Sequence, residues 1–123
     1  MPLGPPRPNM PSMGNMRHVL VANELASYRE SIAAVLRFSF PELEVFEAAP
    51  ADLNREVLRV RPGLVICSRA TSLVRERVPN WVELHPECDP LSTFCLDGER
   101  FVKDQVELSD LISIVDRSAA RTA

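Results

Sequence analysis

The chain has 123 residues, of which 46% are hydrophobic and 25% are charged, and its formal net charge is -3. These values are typical of one soluble domain, and a second independent core would not fit. The acidic balance and the absence of a basic stripe argue against a nucleic-acid partner, because phosphate backbones are bound mainly by basic side chains. The longest apolar runs have four or five residues, and spanning a bilayer needs roughly 20. We therefore expect a cytoplasmic protein with no membrane partner.

The first 16 residues differ in composition from the rest of the chain. They contain all four methionines, five of the eleven prolines and a single charged residue, Arg7. Ordering such a segment would cost chain entropy without burying much apolar surface. We expect residues 1–16 to form a disordered tail and residues 17–123 to form the working domain.

Cysteine and glycine usage limits the cofactor classes. Cys67, Cys88 and Cys95 are an odd number of cysteines in a chain without a secretion signal, so we expect reduced thiols and no disulfide. Gly63 and Gly98 are the only glycines after residue 16, which leaves no place for a glycine-rich phosphate-binding loop. The sequence predicts no cofactor.

The first half of the domain alternates strands with helices. Residues 17–22 are β-branched and aliphatic, as in a strand buried on both faces. A helix should follow, with Asn23 as a candidate N-cap and an end before Pro41. Its apolar stripe consists of Leu25, Tyr28, Ile32, Val35 and Leu36.

Two further strand and helix pairs continue this alternation. Residues 43–48 alternate apolar and acidic side chains like an edge strand, and a second helix, opened by residues 50–52, is marked by Leu53, Val57 and Val60. Residues 64–67 are the most apolar run and the natural central strand. A short helix over about 70–78 comes next. This rhythm predicts right-handed crossovers and a parallel sheet with helices on both faces.

The second half departs from that rhythm. Strands are predicted at residues 81–85 and 91–96, too close together for a helix between them. Asp97-Gly98 is a strong hairpin signal, and residues 100–103 form the strand that follows it. A final amphipathic helix is marked by Leu108, Leu111, Ile112 and Val115.

Three segments carry a family resemblance. Residues 19–32, 61–68 and 101–104 resemble the first strand and helix, the third strand and the fifth strand of response-regulator receiver domains from bacterial two-component systems. The resemblance covers residues 17–72 and 100–120. It implies an α/β, flavodoxin-like, doubly wound parallel sheet, in which an antiparallel hairpin replaces the fourth helix.

The resemblance also implies a loss of the family's chemistry. The acidic pair of a receiver falls on Asn23 and Glu24, its phosphoacceptor aspartate falls on Ser68, and its lysine falls on Lys103. Ser68 cannot form an acyl phosphate, and Glu24 alone gives Mg²⁺ too few hard ligands. We therefore expect no catalytic residues, no metal and no enzyme activity. The predicted function is that of a receiver-like signalling module that contacts another signalling protein or a second copy of itself.

Structural roles compete for the same positions. Asn23 and Ser68 lie where strands end and helices begin, so both could be caps. Glu24 and Lys103 could form an ion pair that replaces the metal. If residues 91–96 pair beside the fourth strand, however, Lys103 moves outward by about one 4.8 Å strand spacing and leaves the crevice.

Other site hypotheses remain open. His85, Cys88 and Cys95 could contribute to a metal site, although structural zinc needs four ligands. Ser68 and His85 could form a hydrolytic dyad, but no oxyanion-hole glycine is present in that turn. The main alternative function is a small-molecule or ion-binding domain that uses the former acidic crevice.

The aromatic residues of the hairpin region suggest where a partner could bind. Trp81, Phe94 and Phe101 fit either the core or a contact surface, and Phe94 and Phe101 are the candidate interface residues. The outermost strand, 100–103, would present unpaired backbone groups to a second chain. Homodimerisation by sheet extension is therefore a specific hypothesis.

Overall fold

A computed structural model describes residues 15–84, 91–104 and 106–122. Its strands are β1 (Asn15–Ala22), β2 (Glu44–Glu47), β3 (Pro62–Cys67), β4 (Asn80–Glu83), β5 (Leu91–Leu96) and β6 (Glu99–Asp104). Its helices are α1 (Ala26–Ser39), α2 (Leu53–Val60), α3 (Ser72–Arg77) and α4 (Leu108–Thr122), and a single 3₁₀ turn, Pro50–Asp52, precedes α2. Residues 1–14 of the predicted tail lie outside the described residues. The first strand begins at Asn15, two residues before the predicted domain boundary.

The strands form one mixed sheet in the order β2-β1-β3-β4-β5-β6. The first four strands are parallel, β5 is antiparallel to β4, and β6 is antiparallel to β5. The predicted α/β class is confirmed, as are the parallel first half and the antiparallel hairpin. Within the described residues no helix separates β4 from β5.

Helices cover both faces of this sheet. One core combines α1 and α4 with alternate strand residues, and its fully buried members include Val21, Ile32, Leu36, Phe94 and Leu111. The other core combines α2 and α3 with the opposite strand positions, and it includes Leu20, Leu53, Val65, Val74 and Trp81. Strand residues alternate between the two cores because successive side chains point to opposite faces.

Local sequence signals explain where the elements begin and end. Helix α1 stops at Ser39, two residues before Pro41, which has no amide hydrogen to continue the helix. Helix α2 ends at Val60, and the left-handed backbone of its C-cap Arg61 (φ 54°) lets Pro62 start β3. In the β5–β6 turn, Asp97 and Gly98 have φ values of 53° and 89°, as a two-residue hairpin requires.

The predicted cap of α1 is wrong. Leu25 occupies the N-cap position and makes no side-chain cap hydrogen bond. Asn23 lies two residues earlier and is 1% exposed. The backbone at Asn23 is fixed by another residue of α1, because the Arg29 guanidinium donates a hydrogen bond to the Asn23 carbonyl oxygen at 2.8 Å.

Within the described residues, no helix combines the length and apolar character needed to cross a bilayer.

Candidate functional site

The carboxyl ends of β1, β3 and β4 meet at one edge of the sheet, because these three strands are parallel. Asn23 and Glu24 follow β1, Ser68 follows β3, and Glu83 ends β4. In open α/β sheets, ligands bind at this edge, where the strand order reverses. The structure therefore brings together the Asn23, Glu24 and Ser68 positions singled out in the sequence, and we call this set the crevice.

Ser68 makes a structural hydrogen bond inside the crevice. Its Oγ accepts the backbone N–H of Glu24 at 2.8 Å, and the residue is 8% exposed. The bond joins the end of β3 to the turn that leads into α1. Ser68 is therefore not the predicted helix cap, since Thr71 caps α3.

Asn23 is buried with its amide unsatisfied. Neither its Oδ1 nor its Nδ2 has a hydrogen-bond partner among the described residues, and both atoms have almost no accessible surface. A buried amide without partners destabilises the folded state, since water would otherwise have bonded both atoms. Glu24, in contrast, points a carboxylate from an exposed position.

Glu83 lies at the same edge of the sheet as the crevice, and the sequence did not single it out. It is 7% exposed, its Oε2 accepts the Ala70 N–H at 2.7 Å, and the Arg75 guanidinium lies 3.6 Å from the same oxygen. The signal was present in Trp81-Val-Glu-Leu, where a carboxylate falls near the end of a strand beside Ser68. Glu83 orders the loop after β3 and is balanced by Arg75.

Cys67 is the buried small residue that its apolar strand predicts. Burial, followed by the nearby Glu83 carboxylate, raises the pKa of its thiol from 9.0 to about 12. Its Sγ lies 3.7 Å from the Val82 carbonyl oxygen, to which it donates a weak hydrogen bond. The thiol therefore stays protonated at neutral pH and is a poor nucleophile.

Lys103 does not reach the crevice. It lies on β6, which is four strand positions from β1, or about 19 Å at the usual spacing. Its Nζ lies 3.7 Å from Asp110 Oδ1 on α4. The hypothesis of a Glu24–Lys103 ion pair is therefore wrong, and the cause is the one anticipated: β5 lies between β4 and β6.

The remaining candidates separate into buried and undescribed residues. His85 and Cys88 lie outside the described residues, so the structure does not test the metal and dyad hypotheses that use them. Cys95 is buried on β5. Among the described residues, no three His, Cys, Asp or Glu side chains are placed to hold a metal ion.

The two proposed interface phenylalanines belong largely to the core. Phe94 is 0% exposed and stacks on Phe101, with ring centroids 5.1 Å apart. Phe101 keeps partial exposure, but the Arg117 guanidinium lies over its ring at 5.8 Å. Phe94 thus offers no surface to a partner. A charge at Phe101 would disturb the core as well as any contact.

Comparison with known proteins adds no relative. No protein-family model, no curated protein and no solved structure matches the chain. Its function must therefore be inferred from its own residues.

Proposed function

We propose that the chain is a receiver-like regulatory module of flavodoxin-like architecture that acts through protein–protein contacts without being phosphorylated. The strand order supports the architecture, because β2-β1-β3-β4 reproduces the first four positions of the flavodoxin-like order. The two helix layers support it too, since α1 and the last helix share one face while α2 and α3 share the other.

The hydrogen bond between Ser68 Oγ and the Glu24 N–H carries the functional proposal. Phosphoryl transfer to a receiver needs a carboxylate nucleophile and a cation held by several hard oxygen ligands. At this position a hydroxyl is present, and its oxygen accepts a backbone N–H. A further carboxylate at this edge, Glu83, accepts the Ala70 N–H and lies beside Arg75. The crevice is therefore built as a fixed structural junction.

A protein that does not switch chemically can still bind partners through a constant surface. In this fold the extra strands β5 and β6 extend the sheet beyond β4. They make the six-residue strand β6 the edge of the sheet and add exposed side chains beyond β4. The hairpin is thus the region in which we place the contact.

The ligand-binding alternative rests on a different observation, the unsatisfied Asn23 amide. A small polar ligand could satisfy both amide atoms. However, both atoms are inaccessible in the folded chain, so a ligand would have to displace neighbouring side chains first. The contact function needs no such rearrangement and is the better supported of the two.

Intact-mass spectrometry tests the absence of phosphorylation. After incubation with Mg²⁺ and acetyl phosphate, the wild-type chain should gain no adduct of about 80 Da. The matched control is the double variant Asn23→Asp/Ser68→Asp, which places carboxylates at the two substituted positions. Labelling of this variant alone would locate the block at those positions. A stoichiometric adduct on the wild type would contradict the proposal.

A further inference from the structure

The two edges of the sheet differ in their charge patterns. Strand β2 forms one edge and has a glutamate at each end, Glu44 and Glu47. Both glutamates already have partners within the chain, since Glu44 lies 2.9 Å from His18 Nε2 and Glu47 lies 3.0 Å from the Arg37 guanidinium, and β2 has no basic residue. Strand β6 forms the other edge, and its sequence is Glu-Arg-Phe-Val-Lys-Asp. Here each face of the strand has one basic, one apolar and one acidic residue.

The hydrogen-bond alternation shows which backbone groups of β6 face outward. The Asp97 N–H donates to the Pro79 carbonyl at 3.1 Å, so the odd-numbered residues of β5 bond toward β4. The even-numbered residues of β5 then bond toward β6, where Phe94 pairs with Phe101. By the same alternation, the N–H and C=O groups of Arg100, Val102 and Asp104 point to the open edge.

These three residues also share one face of the sheet. The Arg100 guanidinium lies over the Trp81 ring at 5.4 Å, whereas Phe101 stacks on the opposite face against Phe94. Arg100, Val102 and Asp104 therefore lie on the Trp81 face. Val102 is 58% exposed there. An arginine that stacks by its planar face keeps its N–H edge available for a carboxylate.

An antiparallel pairing centred on Val102 satisfies all three residues at once. A twofold axis at Val102 sets Val102 against Val102 of the second copy, and it sets Arg100 against the second copy's Asp104 twice by symmetry. All the facing residues have outward backbone groups, which allows up to about six hydrogen bonds. Opposite charges directly across a strand pair are stabilising, whereas like charges are not.

A second register, centred on Phe101, is less favourable. It would set Glu99 against Lys103 of the second copy on the other face, but Lys103 already lies 3.7 Å from Asp110. It would also set Arg100 against Val102 and leave Asp104 beyond the matched charges. The Val102 register uses Arg100, Val102 and Asp104, whose side chains are all exposed.

We propose that β6 pairs antiparallel with β6 of a second copy, centred on Val102, so that two six-stranded sheets become one. This inference rests on the proposed protein–protein function and names the partner as the chain itself. The six-residue contact is small compared with interfaces of stable dimers, which bury about 1,600 Å². The association is therefore reversible and depends on concentration.

Opposite charges at position 102 test the pairing and its register together. Sedimentation velocity from about 5 to about 200 μM should show the wild type shifting toward a dimer. Val102→Asp and Val102→Lys each place like charges on the twofold axis, and each should weaken association by at least about tenfold. An equimolar mixture of the two should dimerise again, since aspartate then faces lysine. Leu58→Asp is the matched control: it adds a charge at an exposed residue of helix α2, which packs against β1, and should still dimerise.

Several outcomes overturn the inference. A wild type that stays monomeric at about 200 μM rules out self-pairing, and the phosphate-labelling result then still decides the proposed function on its own. Stronger dimerisation of Val102→Asp supports the Phe101 register instead, because aspartate would then face Arg100. A mixture that remains monomeric while the wild type dimerises also overturns the Val102 register. Circular dichroism melting checks that each variant is folded. Asp104→Arg sets arginine against Arg100 of the second copy and should also weaken dimerisation.

Discussion

Ser68 connects two elements of the fold through a single side-chain hydrogen bond. Its hydroxyl oxygen accepts the Glu24 N–H in a nearly buried position. An aspartate there would add a charge that needs partners of its own, whereas serine needs only the peptide that is already present. This hydrogen bond links β3 to the entrance of α1, so it contributes to stability even in the absence of any ligand.

Removing that hydroxyl should have a measurable cost. Ser68→Ala leaves the Glu24 N–H without its acceptor in a partly buried site, and we expect a loss of about 1–3 kcal/mol in the free energy of unfolding. Ser31→Ala is the control, because the Ser31 hydroxyl bonds the Ser27 carbonyl in an exposed position and should cost no more than about 0.5 kcal/mol. Urea denaturation measures both. Equal effects would show that the Ser68 bond is not structural.

Two buried asparagines offer a sharper comparison, because each is 1% exposed. Asn80 donates to the Gly63 carbonyl at 3.0 Å and accepts the Asp97 N–H at 2.9 Å. Asn23 has no amide partner among the described residues. Replacing either by alanine removes the same volume, so the difference between them reports the hydrogen bonds.

We therefore expect Asn80→Ala to destabilise the fold by about 1–3 kcal/mol more than Asn23→Ala. Midpoints of urea unfolding, fitted with a common slope, would measure the difference. A larger loss for Asn23→Ala would mean that its amide is satisfied in solution, and the ligand-binding alternative would lose its one supporting observation.

At the level of elements, the sequence predicts most of what local patterns control. The stripe ending at Leu36 marks the inner face of α1, and Asp97-Gly98 marks the hairpin turn. Each signal is contained within one element and its flanking residues. The start of β1 at Asn15 is different, because it depends on pairing with Pro62, 47 positions away. Helix α3 has only six residues, and its boundaries were accordingly predicted less closely.

The candidate site was less predictable, for reasons that lie between elements. The family resemblance places Asn23, Glu24 and Ser68 together because parallel strands end at a common edge. It also suggests Lys103, but β5 separates that strand from β4. Glu83 was missed because its role depends on the loop after β3 folding back so that the Ala70 N–H meets it. The spacing of residues in a single sequence does not predict a contact of this kind.

At the level of the whole molecule, the first strand of the chain, β1, lies inside the sheet, where it pairs with β2 and β3. His18 links β1 to its surroundings: its Nδ1 lies 3.0 Å from the Val60 carbonyl oxygen, and its Nε2 lies 2.9 Å from Glu44 Oε1. Asn15 marks the start of the strand, so a chain lacking residues 1–14 keeps all of β1.

A truncation series tests where the domain begins. Deleting residues 1–14 should leave the melting temperature within about 2 °C, because such a segment has few apolar side chains to bury. A chain that starts at Val19 loses both His18 contacts and the first strand residues, and it should melt several degrees lower. Differential scanning calorimetry compares the two truncations with the full chain. A large fall on removing residues 1–14 would mean that they pack against the domain.

The unequal edges of the sheet also set the size of any assembly. Pairing at β6 uses the one edge whose charges complement themselves, and it leaves a β2 edge at each end of the joined sheet. There Glu44 and Glu47 already lie beside His18 and Arg37, and β2 has no basic residue that could face a glutamate of an incoming copy. Growth of the proposed assembly should therefore stop after a single step, with an edge strand exposed but no fibre formed.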